Sequence, residues 1–203
     1  DKGIAINSVK CKMTISGNTI KKCKAYPIYC NPASTSYAIT LKKNIITGNS
    51  KKIDGIRADS GKLILSSNTI SSCSRAIILS SKVKGTVYPN TFKKNTYNNV
   101  KVNSSYVNTL TVKSLSGKSK SAKTATLNWK KLSSASGYVV YRSASKNGSY
   151  TKISTIKKNK TITYKDSKLK RKSTYYYKIV PYTTIGKTTV YGLDSKIVSI
   201  KIK

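Results

Sequence analysis

Gly17-Asn18-Thr19-Ile20, Lys43-Asn44-Ile45-Ile46, Ser67-Asn68-Thr69-Ile70 and Pro89-Asn90-Thr91-Phe92 are four statements of one phrase, with the asparagines 26, 24 and 22 residues apart. Three residues before each asparagine stand Ile15, Leu41, Leu65 and Val87, and two after it Ile20, Ile46, Ile70 and Phe92, so both columns are apolar in every copy. Five after it come Cys23, Asn49, Cys73 and Asn95. A further segment follows each asparagine by 9 to 12 residues and alternates as strands do: Ile28-Tyr29-Cys30, Ile56-Arg57-Ala58, Ile77-Ile78-Leu79 and Val100-Lys101-Val102. Periods of this length mark solenoids, in which each unit stacks on the next because it cannot bury its apolar side alone. The pattern predicts coils of about three strand segments, with like positions superposed. Gly3-Ile4-Ala5-Ile6 reads as the end of an earlier coil or as a first irregular rung.

Composition bounds the function. Gln, Glu and His are absent, and 40 Lys and Arg face 5 Asp, for a formal net charge of +35. Eighteen basic and 3 acidic residues fall at or before residue 108, and 22 and 2 beyond it, so the charge is spread along the chain. A field of one sign attracts polyanions and weakens with salt. Simple solubility is the competing account of so many lysines among Ser, Thr and Asn. No apolar run approaches the length of a membrane-spanning helix, and Asp1-Lys2-Gly3 reads as a mature or trimmed start.

By these columns residues 3 to 108 resemble the right-handed parallel β-helix repeats of secreted bacterial and archaeal proteins, the superfold that also builds pectate lyases. The resemblance implies an all-β solenoid of about four coils. It also implies that Asn18, Asn44, Asn68 and Asn90 are structural, stacking at a turn and accepting the left-handed conformation that a corner needs. Outward positions then form columns: Thr14, Thr40, Ile64 and Thr86 four before each asparagine, and Lys12, Ala38, Lys62 and Lys84 six before it. These predict a flat basic face for acidic glycans, which Lys21, Lys22, Lys93 and Lys94 extend; Ile64 and the lysines interrupt the threonine array that ice binding would need.

The cysteines read as buried thiols, since Cys23 and Cys73 share a column two rungs, roughly 9.6 Å, apart, too far to bridge. No zinc spacing is present, and no cofactor or metal ligand is expected. A glycosidase needs two carboxyl groups facing one bond, and the β-helix lyases that the fold resembles gather several acidic groups around calcium. Asp54 and Asp59, five apart, would point to opposite faces of a continuous strand, which argues against an active site in these rungs.

Beyond residue 108 the rhythm changes. Thr109–Val112, Ala125–Trp129, Gly137–Arg142, Tyr150–Ile153, Thr161–Tyr164, Tyr175–Val180 and Lys196–Ile200 read as seven short strands of a sandwich. Asn147-Gly148 signals a tight hairpin. Residues 109–203 resemble a fibronectin type III domain: Trp129 matches the core Trp of its second strand, and Leu169 and Tyr175 match its Leu and tyrosine-corner Tyr. The phrase Ser136-Gly137-Tyr138-Val139-Val140-Tyr141-Arg142-Ser143 is similar to versions in surface and carbohydrate-active proteins of gut Firmicutes. These residues are therefore expected to pack, with Tyr175 and Tyr177 inward and Tyr176 outward. Ser116-Gly117-Lys118-Ser119 is no phosphate loop, because Val112 stands where the leading Gly is required.

The expected organisation is a parallel β-helix over 1–108 and a fibronectin-like domain over 109–203. The expected function is a non-catalytic extracellular or cell-surface module whose basic face suits acidic polysaccharide, mucin or cell-wall polymer. Two alternatives stand beside it: a self-assembling subunit joined through solenoid ends, and the C-terminal part of a polysaccharide-degrading enzyme. Nucleic acid would be held only nonspecifically.

Overall fold

In the computed structural model, which describes residues 3–7, 11–23, 25–32, 34–49 and 52–203, the repeated columns are stacked strands. The chain start at Asp1-Lys2 lies outside the described residues. The chain forms two compact units, 1–109 with 184–191, and 110–183 with 192–203.

The first unit is a parallel solenoid of four coils. Its first sheet stacks β1 (Ile4–Asn7), β4 (Ile28–Asn31), β7 (Ile56–Ala58), β10 (Arg75–Leu79) and β13 (Tyr97–Val102). Its second sheet stacks β2 (Met13–Ser16), β5 (Ala38–Lys42), β8 (Lys62–Ser66) and β11 (Lys84–Val87). Its third stacks β3 (Thr19–Cys23), β6 (Ile45–Gly48), β9 (Thr69–Ser71) and β12 (Thr91–Lys93). The register superposes the expected columns: Ile15, Leu41, Leu65 and Val87, and Ile20, Ile46, Ile70 and Phe92. Cys30 lies between Ile6 and Ala58 in the first sheet, as expected. Leu41, Ile46, Leu65 and Ile70 are fully buried, each such side chain stabilising the fold by about 1.5–3 kcal/mol.

The asparagines form a ladder. The Oδ1 of Asn44 accepts from the backbone N–H of Asn18 (3.0 Å) and from its Nδ2 (3.1 Å). Asn68 does the same for Asn44 (3.1 and 3.0 Å), and Asn90 for Asn68 (2.9 and 2.9 Å). Each Nδ2 also donates to a backbone carbonyl, of Ser16, Ile15, Leu41 and Tyr88 in turn. The left-handed corner lies one residue earlier than expected. Gly17, Lys43 and Ser67 have φ of 73°, 54° and 55°, whereas none of the four asparagines has positive φ. The asparagine amide aims along the stack, and its predecessor makes the bend.

A second correction concerns the cysteine column. Lys22, Ser72 and Lys94 take φ of 56°, 54° and 54° and add one residue to their coils, while the second coil has no such residue. Gly48 rather than Asn49 therefore stands opposite Cys23. A Cβ at Gly48 would lie 2.8 Å from the Cys73 Sγ, so the glycine is the room that thiol occupies.

Both caps at the last coil escaped the sequence reading. Asn103 (φ 52°) turns the chain into β14 (Ser105–Val107), which pairs antiparallel with β13 and sets Val107 against Val100. Residues 184–191, assigned above to the second domain, belong to the first unit. Within them β21 (Thr188–Tyr191) adds in parallel to β11, with Thr189 beside Thr86 and Val190 beside Val87. These strands give the end coil the partners that an exposed edge lacks.

The second unit has seven strands in two sheets. One holds β15 (Ser116–Lys118), β16 (Ala125–Asn128) and β19 (Thr163–Asp166). The other holds β18 (Thr151–Ile156), β17 (Gly137–Ser143), the 174–183 part of β20 (Thr174–Ile185) and β22 (Val198–Lys201). Trp129 and Leu169 sit in the core, and Trp129 meets Tyr138 edge-on at 5.4 Å. The Tyr175 hydroxyl accepts from the backbone N–H of Lys170 (3.2 Å), the bond of a tyrosine corner.

Three expectations fail here. Thr109–Val112 forms no strand, and the first strand is the Ser116–Lys118 segment. Asn147-Gly148 lies in a seven-residue connection between β17 and β18 without positive φ, because Tyr150 and its neighbours do not join the ladder. Tyr177 is fully buried and Tyr175 packs against the same core, as expected, but Tyr176 is half-buried rather than exposed.

Candidate functional site

The outer face of the second solenoid sheet follows from strand alternation. Ile39, Leu63 and Leu65 point inward, which turns the intervening residues to solvent. Thr14, Thr40, Ile64 and Thr86 align on successive rungs, and Lys62 and Lys84 are direct neighbours. Lys12 precedes β2 and is separated from Lys62 by Ala38. Lys12 and Lys84 are exposed, and Lys62 is half-buried.

Residues 187–191 continue this face. Lys187-Thr188-Thr189-Val190-Tyr191 copies Lys84-Gly85-Thr86-Val87-Tyr88 at four of five positions. With Thr189 beside Thr86, the register also brings Tyr191 alongside Tyr88, and these rings stack at 5.1 Å with an 11° interplanar angle. The unmatched pair is complementary. Thr188 is fully buried and donates through Oγ1 to the Val83 carbonyl at 3.0 Å, while a Cβ at Gly85 would stand 2.8 Å from that Oγ1. The five-residue repeat was the available sequence signal, hidden by a separation of 103 residues.

The other lysines do not join this face. Lys21 and Lys93 lie in the first and last strands of the third sheet, about three rungs or 14 Å apart. Lys22 and Lys94 are the left-handed residues that follow them, and all four are exposed.

Every described aspartate is already paired. Arg75 donates to both oxygens of Asp54 (2.8 and 3.0 Å). Asp59 accepts from Arg57 Nε (3.1 Å) and from the Tyr29 hydroxyl (2.9 Å), a bond that raises the Tyr29 pKa above its ordinary value. Asp166 pairs with Arg142 and Asp194 with Lys178. Asp54 and Asp59 flank β7 rather than lying within one strand, so the opposite-faces expectation does not describe them.

All four cysteines are free thiols, and Cys11 is exposed, contrary to the expectation of burial. Burial pushes the Cys30 thiol up to about 12 and that of Cys73 to about 11. Among the described residues no three His, Cys, Asp or Glu side chains gather as metal ligands, and no helix is long and apolar enough to cross a membrane.

Solved structures similar to this chain include a fibronectin III-like protein from Clostridium thermocellum, at 29% identity over 44% of this chain and 88% of that one, with a TM-score of 0.39. A three-domain fragment of chicken contactin 1 is 20% identical over 47% of this chain and 32% of its own, also with a TM-score of 0.39. No curated protein matches the chain. Residues 1–125, more than half of the chain, match the family described as periplasmic copper-binding protein NosD, and the chain belongs to that family.

Proposed function

We propose that this chain is a non-catalytic extracellular module that holds acidic polymers against the outer face of its second solenoid sheet. The observation that carries this reading is the register of Lys62 and Lys84 on adjacent rungs. Like charges directly opposite one another destabilise a sheet, and each described aspartate is committed to another base. An external polyanion supplies the missing counter-charge. The same ion pairs occupy the carboxylates that glycoside hydrolysis would need free. A periplasmic or extracellular setting fits the family description.

Copper, which the family description names, does not fit the residues present. Copper sites draw on thiolate, thioether and imidazole, whereas this chain has no His, one Met and four Cys. Burial holds Cys30 and Cys73 protonated, and Cys30 is packed between Ile6 and Ala58 as a small apolar group.

The test is retention of the full chain on immobilised heparin across a salt gradient. Lys62→Ser/Lys84→Ser is compared with Lys157→Ser/Lys158→Ser, which removes equal charge from the second unit. The reading requires elution at clearly lower salt for the solenoid pair. Equal elution of the two double variants rejects it, since net charge alone would then explain retention.

A second reading, assembly through solenoid ends, is favoured by β2 and β3, which end their sheets among the described residues. Sedimentation at rising concentration decides it, a constant monomer mass excluding assembly.

A further inference from the structure

The strand β21 repeats an outward triplet that packing does not demand. Inward, the two copies differ: Gly85 leaves a gap and Thr188 fills it, while Val87 and Val190 are both buried. Outward they are identical, with Lys84, Thr86 and Tyr88 on one rung and Lys187, Thr189 and Tyr191 on the next. Lys187 stands two residues before Thr189 as Lys84 stands two before Thr86, and both lysines are exposed. The added rung therefore brings Lys187, in the turn that leads into β21, toward the Lys62–Lys84 column, whose own step is about 4.8 Å.

At the other end of the triplet the tyrosines form a stacked pair with Tyr88 42% exposed. On the preceding rung the residue after Leu65, the partner of Val87, is the small Ser66, paired with Lys42 on the rung before that. Four residues of extended chain separate the Cα atoms of Lys84 and Tyr88 by about 13 Å. A ligand that satisfies both ends must reach along the strand, carry anionic groups at the lysine end, and present a ring with an apolar face at the tyrosine end.

We propose that these two rungs form a binding site for a linear polyuronate-type acidic polysaccharide. Its chain lies along the strands, with one pyranose against the Tyr88 ring, hydroxyls over Thr86 and Thr189, and carboxylates at Lys84 and Lys187. The proposal rests on the polyanion reading above and adds the ring contact. Charge alone would accept any polyanion; the tyrosines select one with ring faces to stack.

The experiment measures binding of the full chain to alginate, to inorganic polyphosphate and to a thymidylate oligomer at fixed salt. Variants are Tyr88→Ala/Tyr191→Ala, Tyr88→Phe/Tyr191→Phe and Lys84→Ser/Lys187→Ser, each checked by amide exchange for an intact solenoid. The lysine variant should lose affinity for alginate and polyphosphate alike. The alanine variant should lose about fivefold or more on alginate, the lower range for a lost ring stack, with polyphosphate binding unchanged and the phenylalanine variant near wild type. Unchanged alginate binding in the alanine variant, or equal loss on polyphosphate, overturns the proposal. So does a larger loss on the thymidylate oligomer, which would make the tyrosines a base-stacking site. Because the lysine variant tests the charge separately, a lysine effect without a tyrosine effect sinks only this inference. No lysine effect on either anion sinks the polyanion reading as well.

Discussion

Asn68→Ala is the sharpest test of the ladder that defines the solenoid. The Asn68 side chain is fully buried and takes part in four hydrogen bonds: it donates to the Leu41 carbonyl and to Asn90 Oδ1, and accepts from the N–H and Nδ2 of Asn44. After truncation, Asn44 Nδ2 keeps the Ile15 carbonyl and Asn90 Oδ1 keeps the Asn68 N–H. The Leu41 carbonyl stays in the β5–β8 ladder, and the Asn44 N–H loses its partner in the dry interior. At ~1–3 kcal/mol for a stranded buried group, the expected loss is about 1–3 kcal/mol. Asn18→Ala is the internal comparison, because Asn18 is exposed and its side chain only donates, to Ser16 and Asn44; it should cost about 1 kcal/mol. Hydrogen exchange at the amides of Ile46 and Ile70 under increasing denaturant reads the stability of these rungs directly. Equal costs for the two variants, or a loss under about 1 kcal/mol for Asn68→Ala, would refute the ladder as a stabilising device.

Gly85→Ala should destabilise the solenoid by about 1–3 kcal/mol through overpacking against Thr188, and Thr188→Gly in the same chain should recover most of that in a denaturation cycle. Tyr175→Phe removes the bond from Lys170 N–H and should lower the stability of the second unit by about 0.5–1.5 kcal/mol, followed by the fluorescence of Trp129, the chain's one tryptophan. A thiol reagent at mildly alkaline pH should modify Cys11 quickly and Cys23, Cys30 and Cys73 only on unfolding. The raised thiols also set a pH dependence. Between the ordinary value of 9.0 and about 12 the unfolded chain releases the Cys30 proton while the folded chain keeps it. Stability from this group is therefore complete below pH 9 and falls as pH rises through that window, a slope that Cys30→Ala should reduce in alkaline denaturation.

The solenoid's architecture was legible because its cause is local and repeated. Aliphatic residues three before and two after each asparagine can be buried together only if successive coils superpose, and the register does superpose them. Trp129, Leu169 and Tyr175 were placed instead by the resemblance of residues 109–203 to a fibronectin type III domain, and all three pack in or against the core of the second unit. Local conformation was less accessible: which residue takes the left-handed bend, Asn44 or Lys43, depends on where the asparagine amide must aim, and that depends on the rung above it.

What the chain's own order of residues determined was the coil, its apolar interior and the lysines left outside it. What only the tertiary structure decided was how the stack ends and how far its basic face runs. Lys187 and Tyr191 lie 103 residues from Lys84 and Tyr88, and nothing local draws them together. Their meeting requires an open parallel edge at β11, a gap at Gly85 and a threonine that fills it, three conditions that exist only once the last coil has formed. Backbone pairing at an edge is indifferent to sequence distance, so a periodic search along the chain passes over the strand that completes the sheet.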